Sequence, residues 1–486
     1  MKLKNRIFLL SGPVLFIFFL ISNPFLNIPV SAYYMIGVIF WMAIWWTTEA
    51  VPIAITSLLP IILFPILGIV EISETTESYG HKYVFLYMGG FIIAVAIEKW
   101  NLHKRIALNI INIIGTNFSK IILGFMVATA FLSMFISNTA TTVMMLPIAI
   151  SVVKQFEMSE KKTKELGKVI MLSIAYAASI GGVATLIGTP TNLILAGFIS
   201  ESFDVQITFS QWMKFGFPIS IFLLIICWIY LTQYAFKFTL TEFLNGKKEI
   251  QKQLLQLGAM GQEEKLVLIT FSMTGFFWIT RSFLLKNIIP NIDDTIIAVF
   301  GALILFVLYS VKNDRPLLEW KEAVEIPWGI LLLFGGGMAL AKGIEESELA
   351  LWLGEQTSLL EGLSLFLLMA IVITIVNFFT EITSNVATTA MLLPILSPIA
   401  IGLNVHPYSL LVGCSIAASC AFMLPVATPP NAVVFSSGYL KISDMIKTGF
   451  FLNVLSILVI LIMTYFTLPI FWEFNPYIIP DSFITK

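Results

Sequence analysis

Residues 137–148 read SNTATTVMMLPI, and residues 384–395 read SNVATTAMLLPI. Nine of the twelve positions are identical at an offset of 247 residues. Two further matches flank the pair in the same order. Met88-Gly89-Gly90 precedes the first copy as Phe334-Gly335-Gly336 precedes the second. Gly188-Thr189-Pro190-Thr191-Asn192 follows the first as Ala427-Thr428-Pro429-Pro430-Asn431 follows the second. Chance gives one such match, not three in one order. Each half therefore holds the same set: a Gly-Gly helix, a Ser-Asn hairpin and a helix broken at Thr-Pro.

The segments around these motifs are membrane-like. Apolar residues make up 58% of the 486 and charged residues only 12%, about half the ~25% of a soluble domain. The apolar residues come in blocks such as 7–26, 266–285 and 451–471, long enough for a hydrocarbon core ~30 Å thick. Eleven crossings are predicted, at about 7–27, 33–49, 50–68, 83–98, 168–198, 212–236, 266–285, 293–311, 327–343, 407–437 and 448–472. The first follows Lys2, Lys4 and Arg6 and has no small-residue cleavage site after Asn27, so it reads as a retained helix. The chain divides into an N-terminal helix (1–32), a first repeat (33–236), a connector (237–265), a second repeat (266–472) and an external tail (473–486). Leu254, Leu255 and Leu257 suggest a short cytoplasmic amphipathic helix in the connector, with a plain linker between the halves as the favoured reading.

Basic residues set the sidedness. With the N-terminus in the cytoplasm, 22 of 28 Lys and Arg residues fall on that side, from Lys2 through Lys99, Lys120, Lys168, Lys237 and Lys265 to Lys447. Glu71, Glu74, Glu77, Glu345, Glu346, Glu348, Glu355 and Glu361 fall outside. This sorting holds only if the apolar stretches 119–153 and 363–397 each enter and leave on one side, as re-entrant hairpins. Five crossings lie between them, an odd number, so the second repeat is inverted.

Backbone that leaves helical geometry inside a bilayer is tolerated only where protein or a wet cavity satisfies its N–H and C=O groups. At Ser137-Asn138-Thr139 one helix ends, directing carbonyls at the tip, and another starts, directing N–H groups there. Carbonyls suit a cation and N–H groups an anion. Ser133 and Ser137 are four apart, as are Thr380 and Ser384, so each pair shares a helix face. Pro190, Pro429 and Pro430 remove N–H donors and free carbonyls near Gly188 and Ala427. Each half can so assemble a cation site, with an anion pocket between the two tips.

The chain offers no His pair, HExxH, GxSxG or paired carboxylates, so an embedded enzyme is not expected. Cys227, Cys414 and Cys420 form no disulfide or metal pattern, and nothing suggests a nucleic-acid partner. An anion channel would need a continuous pore. Glu381 is an acid at membrane depth and a functional candidate; a structural hydrogen-bonding role is its rival. Glu49 reads as structural, Arg281 as snorkelling to the external interface, and the Phe and Trp residues as lipid-facing or interfacial-belt residues.

The paired Ser-Asn motifs, Trp45-Trp46-Thr47-Thr48-Glu49-Ala50-Val51-Pro52 and the Thr-Pro loops resemble the divalent anion/sodium symporter family, from about residue 33 to 472. The resemblance implies an all-α homodimer in a bacterial cytoplasmic membrane, with a fixed scaffold and an elevator-like transport domain. It implies C4-dicarboxylate or citrate-like substrates, usually with Na⁺ as coupling ion. By motif position, Na⁺ ligands are Ser133, Ser137, Asn138 and Gly188 in one half, and Thr380, Ser384, Asn385 and Ala427 in the other. Substrate contacts are Asn138, Thr139, Asn385, Val386, Thr428 and Pro429. Val386 departs from the threonine of many members and removes a hydroxyl donor. A Na⁺-independent exchanger stays open at this point. The absence of Lys and Arg at the tips favours co-bound cations to balance a dianion.

Overall fold

The computed structural model describes residues 3–22, 24, 28–115, 117–154, 160–236, 244–360 and 362–483. Lys2, Lys237, Asn27, Glu361 and tail residues 484–486 lie outside them. Among the described residues the chain is helical but for one strand pair, Tyr309–Ser310 against Arg315–Pro316. Among the described residues, eight helices are long and apolar enough to cross a membrane, and seven shorter apolar helices of 10–17 residues accompany them.

Length alone does not decide what spans. Asn385–Gly402 meets the length and hydropathy test for a crossing. It is nonetheless the trailing arm of a hairpin whose leading arm is Leu365–Phe379. The first hairpin pairs Phe118–Ser133 with Asn138–Lys154. The crossings predicted at 168–198 and 407–437 are each two half-helices: Glu160–Val183 with Pro190–Phe203, and Tyr408–Ser419 with Pro429–Phe435. Proline stands at the first position of both second halves, where its missing N–H costs no hydrogen bond.

The Gly-Gly motifs have a packing reason. A Cβ at Gly89 would meet Ala298 backbone at 2.8 Å, and one at Gly336 would overlap Ser57. These helices, Lys82–Lys99 and Trp328–Glu346, thus lie backbone to backbone on their neighbours.

Three features correct or extend the sequence reading. Arg281 does not snorkel outward. It is only 6% exposed and pairs with Asp293 at 3.2 Å and Asp294 at 3.3 Å. A π-helical turn, Arg281–Leu285, helps bring it back onto the acids opening the next helix, and a buried guanidinium needs such partners. Trp46, Trp212 and Trp278 are buried rather than lipid-facing. Their indole N–H groups donate to carbonyls of Ile53 (3.3 Å), Val183 (2.9 Å) and Asp294 (3.0 Å), which satisfies the polar tip. Finally, two short helices were not foreseen: Leu102–Ile114 and Leu349–Glu355. Each starts after a left-handed residue, Asn101 (φ 56°) or Glu348 (φ 62°), at the same repeat offset as the Ser-Asn motif.

The connector forms a helix, Leu244–Leu257, docked at both ends. Ser151 of the first hairpin donates to Glu249 at 2.7 Å, and Arg105 bonds the Gly258 carbonyl at 3.0 Å and Glu264 at 2.5 Å. Glu49 is exposed and caps Val30–Thr48 in a left-handed conformation.

Candidate functional site: two oxygen clusters at the hairpin tips

Both hairpins stop being helical for four or five residues, at 134–137 and 380–384, before Asn138 and Asn385 restart them. In the first, the Ser133 hydroxyl lies 2.5 Å from Asn138 Oδ1 and 2.8 Å from the Ala178 carbonyl. In the second, the Thr380 hydroxyl lies 2.7 Å from Asn385 Oδ1 and 3.0 Å from the Ala418 carbonyl. The chemistry is in the proton count. A hydroxyl has one hydrogen, and two acceptor oxygens compete for it in each cluster. Both clusters are thus oxygen-rich and short of protons, an arrangement that a small hard cation completes. Sodium fits this donor set, which is oxygen only.

Other atoms hold the clusters in place. Thr142 donates to the Asn138 carbonyl and Thr389 to the Asn385 carbonyl, both at 2.8 Å. A Cβ at Gly182 would sit 2.6 Å from Asn138 Oδ1 and 3.1 Å from the Gly188 carbonyl, so a larger residue there would displace the asparagine from its cluster. That crowding brings the expected ligands Asn138 and Gly188 to one place. Ser137 accepts the Ala140 N–H at 3.2 Å, a helix-capping bond. For Ser384 and Ala427 the described bonds are backbone ones: the Ser384 carbonyl accepts from Thr388, and the Ala427 N–H donates to Leu424.

The helix breaks share one geometry. Thr189 and Thr428 have φ/ψ of −140°/146° and −141°/149°. Asn192 Nδ2 donates to the carbonyls of Gly182 (3.2 Å) and Thr185 (2.8 Å), ten and seven residues upstream. Asn431 Nδ2 repeats this with Ala421 (3.2 Å) and Leu424 (3.0 Å). These two asparagines carry the broken backbone that bilayer lipid cannot satisfy. Sequence reasoning quoted them without giving them a task; their equal place after each Thr-Pro was the signal. The Ala178 and Ala418 carbonyls left no signal, since backbone atoms have no side-chain signature.

The halves interlock. The first hairpin's trailing arm packs on Pro429–Phe435, and the second's on Pro190–Phe203. Thr191 and Ser419 share a hydrogen bond at 2.7 Å, and Tyr176 meets Phe422 edge-on at 5.1 Å. Asn138, Thr139, Asn385 and Val386 are half-buried and Pro429 is exposed. Thr428 is buried, its hydroxyl accepting the Asn431 N–H at 3.3 Å. The Thr139 hydroxyl has no protein partner among the described residues.

Glu381 has a structural task. It is 3% exposed and accepts the N–H groups of Phe422 (2.7 Å), Met423 (2.9 Å) and Leu424 (3.0 Å) and the Asn453 amide (2.7 Å). The residue at the equivalent place in the first hairpin is Met134, whose carbonyl accepts from Thr185.

Inverted repeats, re-entrant hairpins and Pro-broken helices around oxygen clusters define a secondary-transporter architecture. The comparisons agree. The family described as sodium:sulfate symporter transmembrane region matches residues 3–473. The chain belongs to that family. The sodium-dependent dicarboxylate transporter SdcS of Staphylococcus saprophyticus is 45% identical over 471 residues, 95% of this chain and 91% of its own. The SdcS of Staphylococcus aureus strain USA300 is 44% identical over 472 residues, with the same coverage. Among solved structures, Neisseria gonorrhoeae MtrF matches with TM-score 0.57 and 13% identity over 81% of this chain and 84% of its own. The Alcanivorax borkumensis YdaH transporter matches with TM-score 0.55 and 12% identity over 83% and 88%. Those two likenesses concern the fold alone.

Proposed function

We propose that the protein carries C4-dicarboxylates of the succinate, malate and fumarate class across a bacterial cytoplasmic membrane, coupled to Na⁺. The observation that carries this reading is the duplicated cluster in which three oxygens share one hydroxyl proton. The SdcS relatives, named as sodium-dependent dicarboxylate transporters, support the substrate class and the coupling ion.

In this reading Ser133, Ser137, Asn138 and Gly188 hold one Na⁺, joined by the Ala178 carbonyl. Thr380, Ser384, Asn385 and Ala427 hold the other, joined by the Ala418 carbonyl. Asn138 and Asn385 turn an oxygen to the cation and leave the amide N–H₂ for a carboxylate. Thr139, Val386, Thr428 and Pro429 complete the substrate wall. No Lys or Arg lies at 133–139 or 380–386, so the dianion's charge is balanced by co-bound Na⁺ and helix N-termini. Coupling follows: without the cations the two carboxylates meet uncompensated negative oxygen.

The hairpins and broken helices, interlocked across the repeats, move as one transport body against a scaffold of Val30–Thr48, Lys82–Lys99, Gln262–Thr280, Asp294–Val307 and Trp328–Glu346, in a homodimer. The test is uptake of labelled succinate into proteoliposomes with an inward Na⁺ gradient, a K⁺ gradient, or no gradient with succinate inside. Uptake driven by Na⁺ alone is expected. Equal uptake in the third arm without Na⁺ identifies an exchanger and overturns the coupling.

A further inference from the structure

The last crossings of the two repeats, Phe209–Ile229 with its π-helical extension Tyr230–Ala235 and Ile442–Ile462, lie side by side, and their two ends differ. At the external end aromatic rings close the seam. Trp212 meets Trp472 at 6.1 Å, and Trp472 meets Tyr408 at 4.9 Å. At the cytoplasmic end the helices splay around a cleft of about 810 Å³. Ile229, Phe236, Phe451, Val454 and Leu455 give it an apolar wall, and Lys447 stands on its rim. Lys447 is exposed, and among the described residues no carboxylate pairs with it. Asp444, one turn before it, also lines the cleft, but its charge is already met: one oxygen holds Lys168 at 2.9 Å and the other accepts the Lys441 N–H at 3.0 Å.

We propose that this cleft is a binding site for one anionic phospholipid of the cytoplasmic leaflet, an acyl chain filling the apolar wall and the phosphate pairing with Lys447. Three observations converge. The volume is in the range of ~300–1,000 Å³ typical of ligand sites. The surroundings are bilayer, so an apolar cleft at this depth is filled by hydrocarbon. The charge is complementary, because a basic side chain beside an interhelical cleft on the cytoplasmic side favours anionic headgroups. The Tyr230 and Tyr234 rings, also on the cleft, sit where amphipathic aromatics favour the headgroup level.

Native mass spectrometry of the whole protein, extracted from vesicles of equal phosphatidylglycerol and phosphatidylcholine, tests this. The expected result is a retained phosphatidylglycerol adduct in excess of phosphatidylcholine. Lys447→Gln should lower that preference about fivefold and Lys447→Arg should keep it. Val454→Trp, which fills the wall, should remove the adduct while Lys447 is still present. Equal retention of both lipids, or a preference unchanged in Lys447→Gln, overturns the headgroup pairing. An adduct untouched by Val454→Trp overturns the cleft as its seat. None of these readouts depends on transport.

Discussion

The two hairpin tips share their oxygens and differ in what braces them. Ser133 and Thr380 do one job, as do Asn138 and Asn385, to within 0.2 Å in both contact distances. The braces are unlike. At the first tip a backbone carbonyl, that of Met134, takes one hydroxyl from the neighbouring break. At the second a buried carboxylate, Glu381, takes three consecutive N–H groups and an amide. The breaks differ with them: 184–189 is buried throughout, whereas Val426 in the second is 80% exposed. A loop open on one side has fewer contacts to hold it, and a charged acceptor supplies what packing does not. The oxygen cluster is duplicated, while its mechanical support is adapted to each side.

The largest expected effect is on the shared part. Asn138→Ala and Asn385→Ala should each abolish Na⁺-driven succinate uptake in proteoliposomes while leaving a monodisperse protein. Each deletes an oxygen from a proton-poor cluster and a donor from the substrate wall, at roughly 1.5–3 kcal/mol per charged contact. Near-normal uptake by either variant would show that the clusters do not act as a pair.

The brace comes next. Glu381→Ala leaves three buried N–H groups without an acceptor, at about 1–3 kcal/mol each. Met134→Ala, which keeps its carbonyl, should cost no more than the ~2–5 kcal/mol of a truncated Met. Unfolding in detergent should rank Glu381→Ala well below Met134→Ala, with Glu381→Gln between Glu381→Ala and the wild type. If Met134→Ala proves the weaker protein, the asymmetry of bracing is not real.

A smaller effect is expected where the tips differ in chemistry. Val386→Thr should tighten succinate affinity, and Thr139→Val should weaken it by more, since both tips would then lack the hydroxyl. The change should stay below the ~1.5–3 kcal/mol of a full bond to a charged group. Affinities measured at saturating Na⁺ decide it; if neither shifts twofold, position 386 does not face substrate.

The smallest lies away from the site and serves as a control on the comparison. Burial would raise the Glu322 carboxyl, but hydrogen bonds from Lys99, the Glu319 N–H and Arg315 hold it down at about 2. Its pKa is depressed by folding, so its contribution is fully present above the ordinary value of 4.5 and lost as pH falls toward about 2. Glu322→Gln should flatten the stability–pH curve in that window and leave the succinate affinity at neutral pH unchanged.

Much of this protein was legible in one dimension. Apolar blocks report crossings because hydrocarbon demands a minimum length of apolar chain. The duplicated Ser-Asn and Thr-Pro motifs report inverted repeats because each repeat solves the same backbone problem. The oxygen pairs Ser133–Asn138 and Thr380–Asn385 were readable because the two members of each pair lie five residues apart. What the tertiary structure decided involves partners far apart in sequence. The Ala178 and Ala418 carbonyls reach their hydroxyls across 45 and 38 residues. Glu381 meets its N–H donors about forty residues on, and Arg281 met its acids rather than the interface. Backbone atoms carry no signature in a sequence, and a buried charge takes whichever partner the fold brings near. Pattern fixes what a residue can bond, and only packing selects the atom that it does bond.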